Sequence, residues 1–396
     1  MPFPVSARVS RTTLAVVPLV AASLVLSACG SSSTKNVAAA SSASGAKAST
    51  ITTPKIAVGF LMVGSKKDYG YNEAVYDGSQ AVAKDMPNVN VITADNVPES
   101  NAVTTAMDSM VSQGAKVIFA SSYGYFQYAE KFAVAHPDVI VLHQGGFQKD
   151  AFPANFGTYW GQAFEPVSLG GMAAGGTTKT NKLGYVYAFP IPQTIANIDA
   201  FQLGAQAVNP KAQTYLVNTS SWCDPVKQSQ AAAALLSQGV DVLTQHQDCQ
   251  GTVINAAKKA GKYVVGYHYD AQSLDPSGWL TGSAWNWAPI YKKIIAAAAG
   301  GTFKGSPYNA NWVGDFAHDD NPLTLASIGS SVSADLKAKI TAEQTALKQP
   351  GASVFKGPIV CQDGTVLYAA GVTPTYDQIN SINCLVKGVV GTLPKS

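Results

Sequence analysis

From Ile56 onward, short and nearly all-apolar runs alternate with stretches whose apolar residues recur at helical spacing. The runs "KIAVGFLMV", "VNVITAD", "KVIFASS" and "VIVLHQG" read as strands, with helices over 72–86, 101–113 and 125–136. Strands without polar alternation are buried on both faces, so the rhythm predicts a parallel sheet covered by helices on each side. It then restarts with "KLGYVYAF", "AQTYLVN", "DVLTQH", "KYVVGYH" and "GWLTGSAW", separated by helical patterns over 196–208, 225–238 and 251–259. Two such units predict an α/β chain of two Rossmann-like lobes. Helical patterns over 163–177 and 288–299 read as connections between them, forming a hinge above a cleft that faces the carboxyl ends of both sheets. The expected layout is a first lobe over 54–165, a crossover helix over 166–180 and a second lobe over 181–287. A return helix and tail over 288–396 then complete the first lobe, with a hairpin "GPIVCQDGTVLYAAG" and a final helix over 376–389.

The segment before Ile56 follows another pattern. Arg8 and Arg11 precede "LAVVPLVAASLVL" and then "LSACGSSS", the order of a charged region, a short apolar core and a small-residue cleavage site. Residues 1–28 read as a signal peptide. Cys29, directly after Leu26, Ser27 and Ala28, stands as in a bacterial lipobox, where that cysteine is acylated. Residues 29–53 form a Ser/Ala-rich tether. No other run reaches the roughly 18 apolar residues of a spanning helix. The expected protein is soluble, lipid-anchored and outside the cytoplasmic membrane.

Composition adds two points. Charged residues are 13% and net charge only +3, too little to indicate a nucleic-acid partner. Besides Cys29 there are Cys223, Cys249, Cys361 and Cys384, and an even count in an oxidising compartment favours disulfides. Three connectivities are open. Pairing of neighbours gives Cys223–Cys249 and Cys361–Cys384, each worth about 3 kcal/mol by loop closure. No pair has the close spacing of zinc ligands, and neither metal nor cofactor is expected.

Ligands of open α/β sheets lie beyond the carboxyl ends of the strands, and here those ends are aromatic. The first carries Asp68, Tyr69, Tyr71 and Asn72, with no glycine-rich phosphate cradle. Others carry Tyr123, Phe189, Trp222, His246, the group His268, Tyr269 and Asp270, and then Trp285 and Trp287. Tyr69 and Trp287 read as packing, and Asp224 before Pro225 as a helix cap. Tyr71 and Trp222, from different lobes, are placed to close on a flat ring. Two such faces supply roughly 2–6 kcal/mol, short of the roughly 8 kcal/mol of micromolar binding. Asn72 and Asp270 are the candidates for edge hydrogen bonds, with Tyr123 and Trp285 shaping the pocket. The loop suits a planar heteroaromatic ligand.

Through "DYGYNEAVYDG", "VIFASSYGY", "KLGYVYAFPIP", "SSWCDP", "VVGYHYD" and "LTGSAWNW", the chain resembles the basic membrane protein family of substrate-binding lipoproteins. That family's best-known members are purine nucleoside receptors of ABC importers. The resemblance covers about 56–299 and implies a type I periplasmic-binding-protein fold, aromatics at Tyr71 and Trp222 flanking the base, and base-edge contact from Asn72. Nucleoside receptors have Asp where His268 stands and Lys where Trp285 stands, and these grip the ribose. The departure points to a free purine base such as adenine. The expected protein is a monomeric binding protein that works with an ABC permease and has no catalytic residues. A sugar or other small solute as ligand, a role as sensor for a membrane receptor, and a nucleoside hydrolase are the rival readings.

Overall fold

The computed structural model describes residues 55–146, 151–318 and 320–394; the signal peptide, Cys29 and the tether lie outside the described residues. The first four apolar runs form β1 (Ile56–Met62), β2 (Val89–Ala94), β3 (Ala115–Ser121) and β4 (Ile140–Gln144), with α1 (Tyr71–Asp85), α2 (Ala102–Ser112) and α3 (Phe126–Ala135) between them. β5 (Phe156–Gly161) follows, wholly buried. With β11 (Asn311–Gly314) it extends a parallel sheet in the order β11-β5-β4-β3-β1-β2.

After α4 (Phe164–Thr177) the second unit is laid down as β6 (Lys182–Tyr187), α5 (Pro192–Val208), β7 (Gln213–Asn218), α6 (Pro225–Ser237), β8 (Val242–His246), α7 (Gly251–Lys259), β9 (Tyr263–Gly266) and β10 (Trp279–Trp285). Its strand order, β12-β10-β9-β8-β6-β7-β15, repeats the winding of the first sheet, with β12 (Leu323–Leu325) antiparallel to β10 and β15 (Val389–Val390) parallel to β7. In both sheets the order reverses beside the first strand, which opens a crevice there.

Three strands of chain cross between the lobes: β5 to α4, β10 to α8 (Ala288–Ala299), and β11 to β12. α4 is buried on nearly every side because it lies between β10, α5 and α9 (Ala334–Leu347). Glycines make the α4–α5 approach possible. A Cβ on Gly171 would meet the Phe201 carbonyl oxygen at 2.1 Å, and one on Gly204 the Ser168 oxygen at 1.9 Å. α8 packs on α1, and its Tyr291 closes over the stacked Phe60 and Phe119 rings of the first sheet.

The tail departs from expectation. β11 does join the first lobe, but β12, α9 and β15 build onto the second. The Asp199 carboxylate of α5 accepts the Val386 N–H and draws the end of the chain onto the second lobe. The hairpin forms as β13 (Ile359–Val360) and β14 (Val366–Tyr368). The final helix is only α10 (Tyr376–Ile379), started by a capping box of Thr375 and Gln378. The Cys361–Cys384 bond and Gly388, at φ +105°, lie beyond it, where a longer helix was expected. Both disulfides join sequence neighbours.

Candidate functional site

The loops after β1, β3 and β4 and the end of β5 meet the loops after β6, β7, β8 and β9 around a shared cavity. Tyr71, Ser122, Tyr123, Gln144, Gly145 and Trp160 line it from the first lobe, and Ile191, Gln193, Trp222, His246, Asp248 and His268 from the second. The lobes are closed on one another. Gln193 donates its side-chain N–H to the Gly145 carbonyl, Gln250 donates to the Tyr69 carbonyl, and the Tyr269 hydroxyl donates to Asp77 at 2.8 Å. Gly70 fits so tightly under the Asp248 carbonyl that a Cβ would sit 1.6 Å from that oxygen.

The first-lobe wall is built by Asp68, which caps the start of α1. Its oxygens accept from the N–H groups of Gly70, Asn72 and Glu73 and from the Asn72 side chain, satisfying donors that a helix start leaves open. This capping delivers Tyr71 to the cavity, 6% exposed and edge-on to His268 at 5.1 Å. Burial raises its phenol well above the ordinary value, so it stays neutral. Asn72 faces elsewhere. Its carbonyl accepts from Gly64 and its amide reaches Asp68 and Asp248, so it latches loops together and does not line the cavity. Gln144, unmarked in the sequence reading, gives its carbonyl to the hydroxyls of Tyr159 and Tyr291. This turns its amide nitrogen toward the Tyr71 side of the cavity.

In the second lobe Trp222 lines the cavity from the loop after β7, braced edge-to-face by Phe189 at 4.9 Å; Phe189 itself stands behind it. The Asp248 N–H donates to the Trp222 carbonyl at 2.9 Å, and the Cys223–Cys249 bond joins the residues next to each. Asp224 caps α6 through the Val226 and Lys227 N–H groups. His268 is held at φ +73°, a backbone region that non-glycine residues rarely occupy. Its Nδ1 accepts from the Trp285 indole at 2.7 Å, which leaves the proton on Nε2, the atom 4.0 Å from Asp248. Burial pushes the pKa of His268 well below the usual histidine range and that of His246 down to about 3, so both rings are neutral. Trp285 thus acts through His268, from a cluster with Trp160 and Trp287.

Asp270 belongs to the surface. Its carboxylate accepts the N–H groups of Gln272 and Ser327 and lines no part of the cavity. The carboxyl that does face the cavity is Asp248, 5% exposed. Trp160, on the unanticipated β5, is the other wall residue that strand-end reading missed. Among the described residues the lining holds no lysine or arginine, and the sequence places its arginines at positions 8 and 11. A wall with one acid and no cation offers nothing to a phosphate or carboxylate; it suits a neutral planar molecule with hydrogen-bonding edges.

Comparison with known proteins agrees with this architecture. A purine-binding protein of Brucella abortus (strain 2308) is 28% identical over 342 residues, 86% of this chain and 95% of that one. A Haloferax volcanii protein, TsgA13, provisionally named an ABC transporter glucose-binding protein, is 31% identical over 241 residues, 61% of this chain and 59% of its own. The crystal structure of an ABC transporter solute-binding protein from Aeropyrum pernix K1 superposes with a TM-score of 0.65 at 17% identity, covering 82% of this chain and 96% of that one. The family described as ABC transporter substrate-binding protein PnrA-like matches residues 55–311. With its two-lobed periplasmic-binding-protein fold, the chain belongs to this Bmp family of ABC transporter substrate-binding proteins.

Proposed function

We propose that this protein is a lipid-anchored receptor on the outer face of the cytoplasmic membrane that captures a free purine base and delivers it to an ABC permease. The observation that carries the reading is the closed cavity itself, walled by Tyr71 from one lobe and Trp222 from the other, with no cationic side chain among the described residues that line it. Where nucleoside receptors hold the ribose stand His268 and Trp285, locked to each other. Stacking supplies roughly 1–3 kcal/mol per aromatic face, and the amide of Gln144, Nε2–H of His268 and carboxyl of Asp248 supply edge hydrogen bonds worth about 1 kcal/mol or more each. The purine-binding Brucella relative supports the same ligand class. Capture requires lobe closure alone, with no bond made or broken. Cys29 would hold the anchor, and the tether would let the loaded receptor reach its permease.

A sugar is the second reading, favoured by the Haloferax relative and by the fit of aromatic faces to pyranose rings. A thermal-shift screen followed by calorimetry with adenine, hypoxanthine, guanine, adenosine, guanosine and glucose separates the two. Free bases bind more tightly than their nucleosides if the reading is right; tighter binding of every nucleoside, or of glucose alone, overturns it.

A further inference from the structure

Asp248 is a carboxyl group without a counter-charge in a place where it must touch whatever fills the cavity. Around it stand Asp68 from the loop after β1, Glu99 from the loop after β2, the hydroxyls of Tyr71, Tyr125 and Tyr267, and the neutral ring of His268. The Asn72 amide reaches it as a donor, and among the described residues no lysine pairs with it. Asp68 accepts four hydrogen bonds and Glu99 accepts from the Ser122 hydroxyl and the Gly124 N–H, the roles of acceptor-only carboxylates. Two carboxylates and a dry wall are a poor setting for a third negative charge. Burial and the nearby Asp68 and Glu99 raise the Asp248 carboxyl well above its ordinary range.

We propose that Asp248 meets the ligand as a neutral carboxylic acid, giving its O–H to a ring nitrogen and taking an N–H from the amine beside it, and so selects 6-aminopurines. A carboxylic acid offers one donor next to one acceptor; a carboxylate offers only acceptors. Adenine presents a matching edge, ring nitrogen beside amine. An ionised Asp248 would face the ring nitrogen lone pair and instead favour guanine, whose N1–H and 2-amino group donate side by side. This inference rests on the purine reading above and specifies its ligand.

Calorimetry on the full chain with adenine and guanine tests it, together with infrared difference spectra of the adenine complex. Asp248→Ala weakens adenine binding by roughly 10–100-fold, the loss expected when two polar groups lose their partner. Asp248→Asn, which keeps a donor beside an acceptor, rescues most of that loss. The wild-type complex at neutral pH shows a protonated-carboxyl band that Asp248→Asn removes, and unliganded melting curves confirm that each variant is folded. Absence of the band, a failure of Asn to rescue, or a wild-type preference for guanine that Asp248→Asn abolishes overturns the neutral acid while leaving the purine reading intact. If neither base binds the wild type, the purine reading falls and this inference with it.

Discussion

Replacing Gly70 with alanine should separate folding from capture. Gly70 precedes α1 in the first lobe, and its Cα lies against the backbone carbonyl of Asp248 in the second, where a methyl group would sit 1.6 Å from the oxygen. Real contacts of this type stay beyond 3.0 Å, and both partners are backbone, so neither can rotate away. The lobes must part by more than about 1 Å to reach ordinary van der Waals distance. That opening stretches the Gln250–Tyr69 and Tyr269–Asp77 hydrogen bonds past useful length and lifts Trp222 from the ligand. Two hydrogen bonds at about 0.5–1.5 kcal/mol each and one stacking face at about 1–3 kcal/mol sum to about 2–6 kcal/mol. At the lower end this is roughly a 30-fold loss of affinity. With the lobes parted this contact would be absent, so an unliganded protein that rests open should keep the melting temperature of the wild type. Calorimetry with adenine measures the affinity and a ligand-free thermal melt the stability. Wild-type affinity for adenine in Gly70→Ala would show that the loaded state does not bring these loops together.

Trp222→Ala should weaken adenine binding by about 1–3 kcal/mol with little change in the ligand-free melt; unchanged affinity in calorimetry removes its stacking role. Replacing Cys223 and Cys249 together with serine should cost about 3 kcal/mol of stability and also lower adenine affinity, since the bond fixes Trp222 and Asp248. Replacing Cys361 and Cys384 should cost stability alone, as denaturant titration and calorimetry on the two variants will distinguish. Glu165, at the start of α4 where the chain crosses between lobes, accepts the Phe316 N–H of another crossing, and burial pushes its carboxyl up to about 8. The folded state then holds a proton that the unfolded chain has released, so this contribution to stability declines as pH rises from about 4.5 toward 8. The stability difference between wild type and Glu165→Gln, measured by urea denaturation across that range, should fall with pH; a flat difference refutes the shift.

The strands of both lobes were legible because a parallel strand buried on two faces must be apolar throughout. β5 escaped because "FGTYWG" owes its place to packing: Gly157 admits the Tyr308 carbonyl oxygen to 1.9 Å of where a Cβ would stand. α9, capped by Ser333, carries too few buried residues to show a helical stripe. In the site, the rule of strand ends located Tyr71, Tyr123, Trp222 and His268. It failed on the acids because His246-Gln-Asp248 and His268-Tyr-Asp270 share one spacing after successive strands. The distinction is tertiary: backbone amides at Gln272 and Ser327 draw Asp270 to the surface, whereas Asp248 is folded inward under Gly70. Asn72 was placed next to the ligand, yet its neighbours Gly64 and Asp68 take up its amide first.

The edges of the two sheets bear on how the protein is made. β11, residues 311–314, supplies an outer strand of the first sheet only after strands β6 to β10 of the second, and β15, residues 389–390, supplies an outer strand of the second sheet after every other strand of both. A nascent chain emerging from the ribosome therefore carries unpaired strand flanks until residues 311–314 and 389–390 have followed. Neither half can mature ahead of the other, and a product truncated shortly before Val389 would leave β7 bare, a template for pairing with foreign strands.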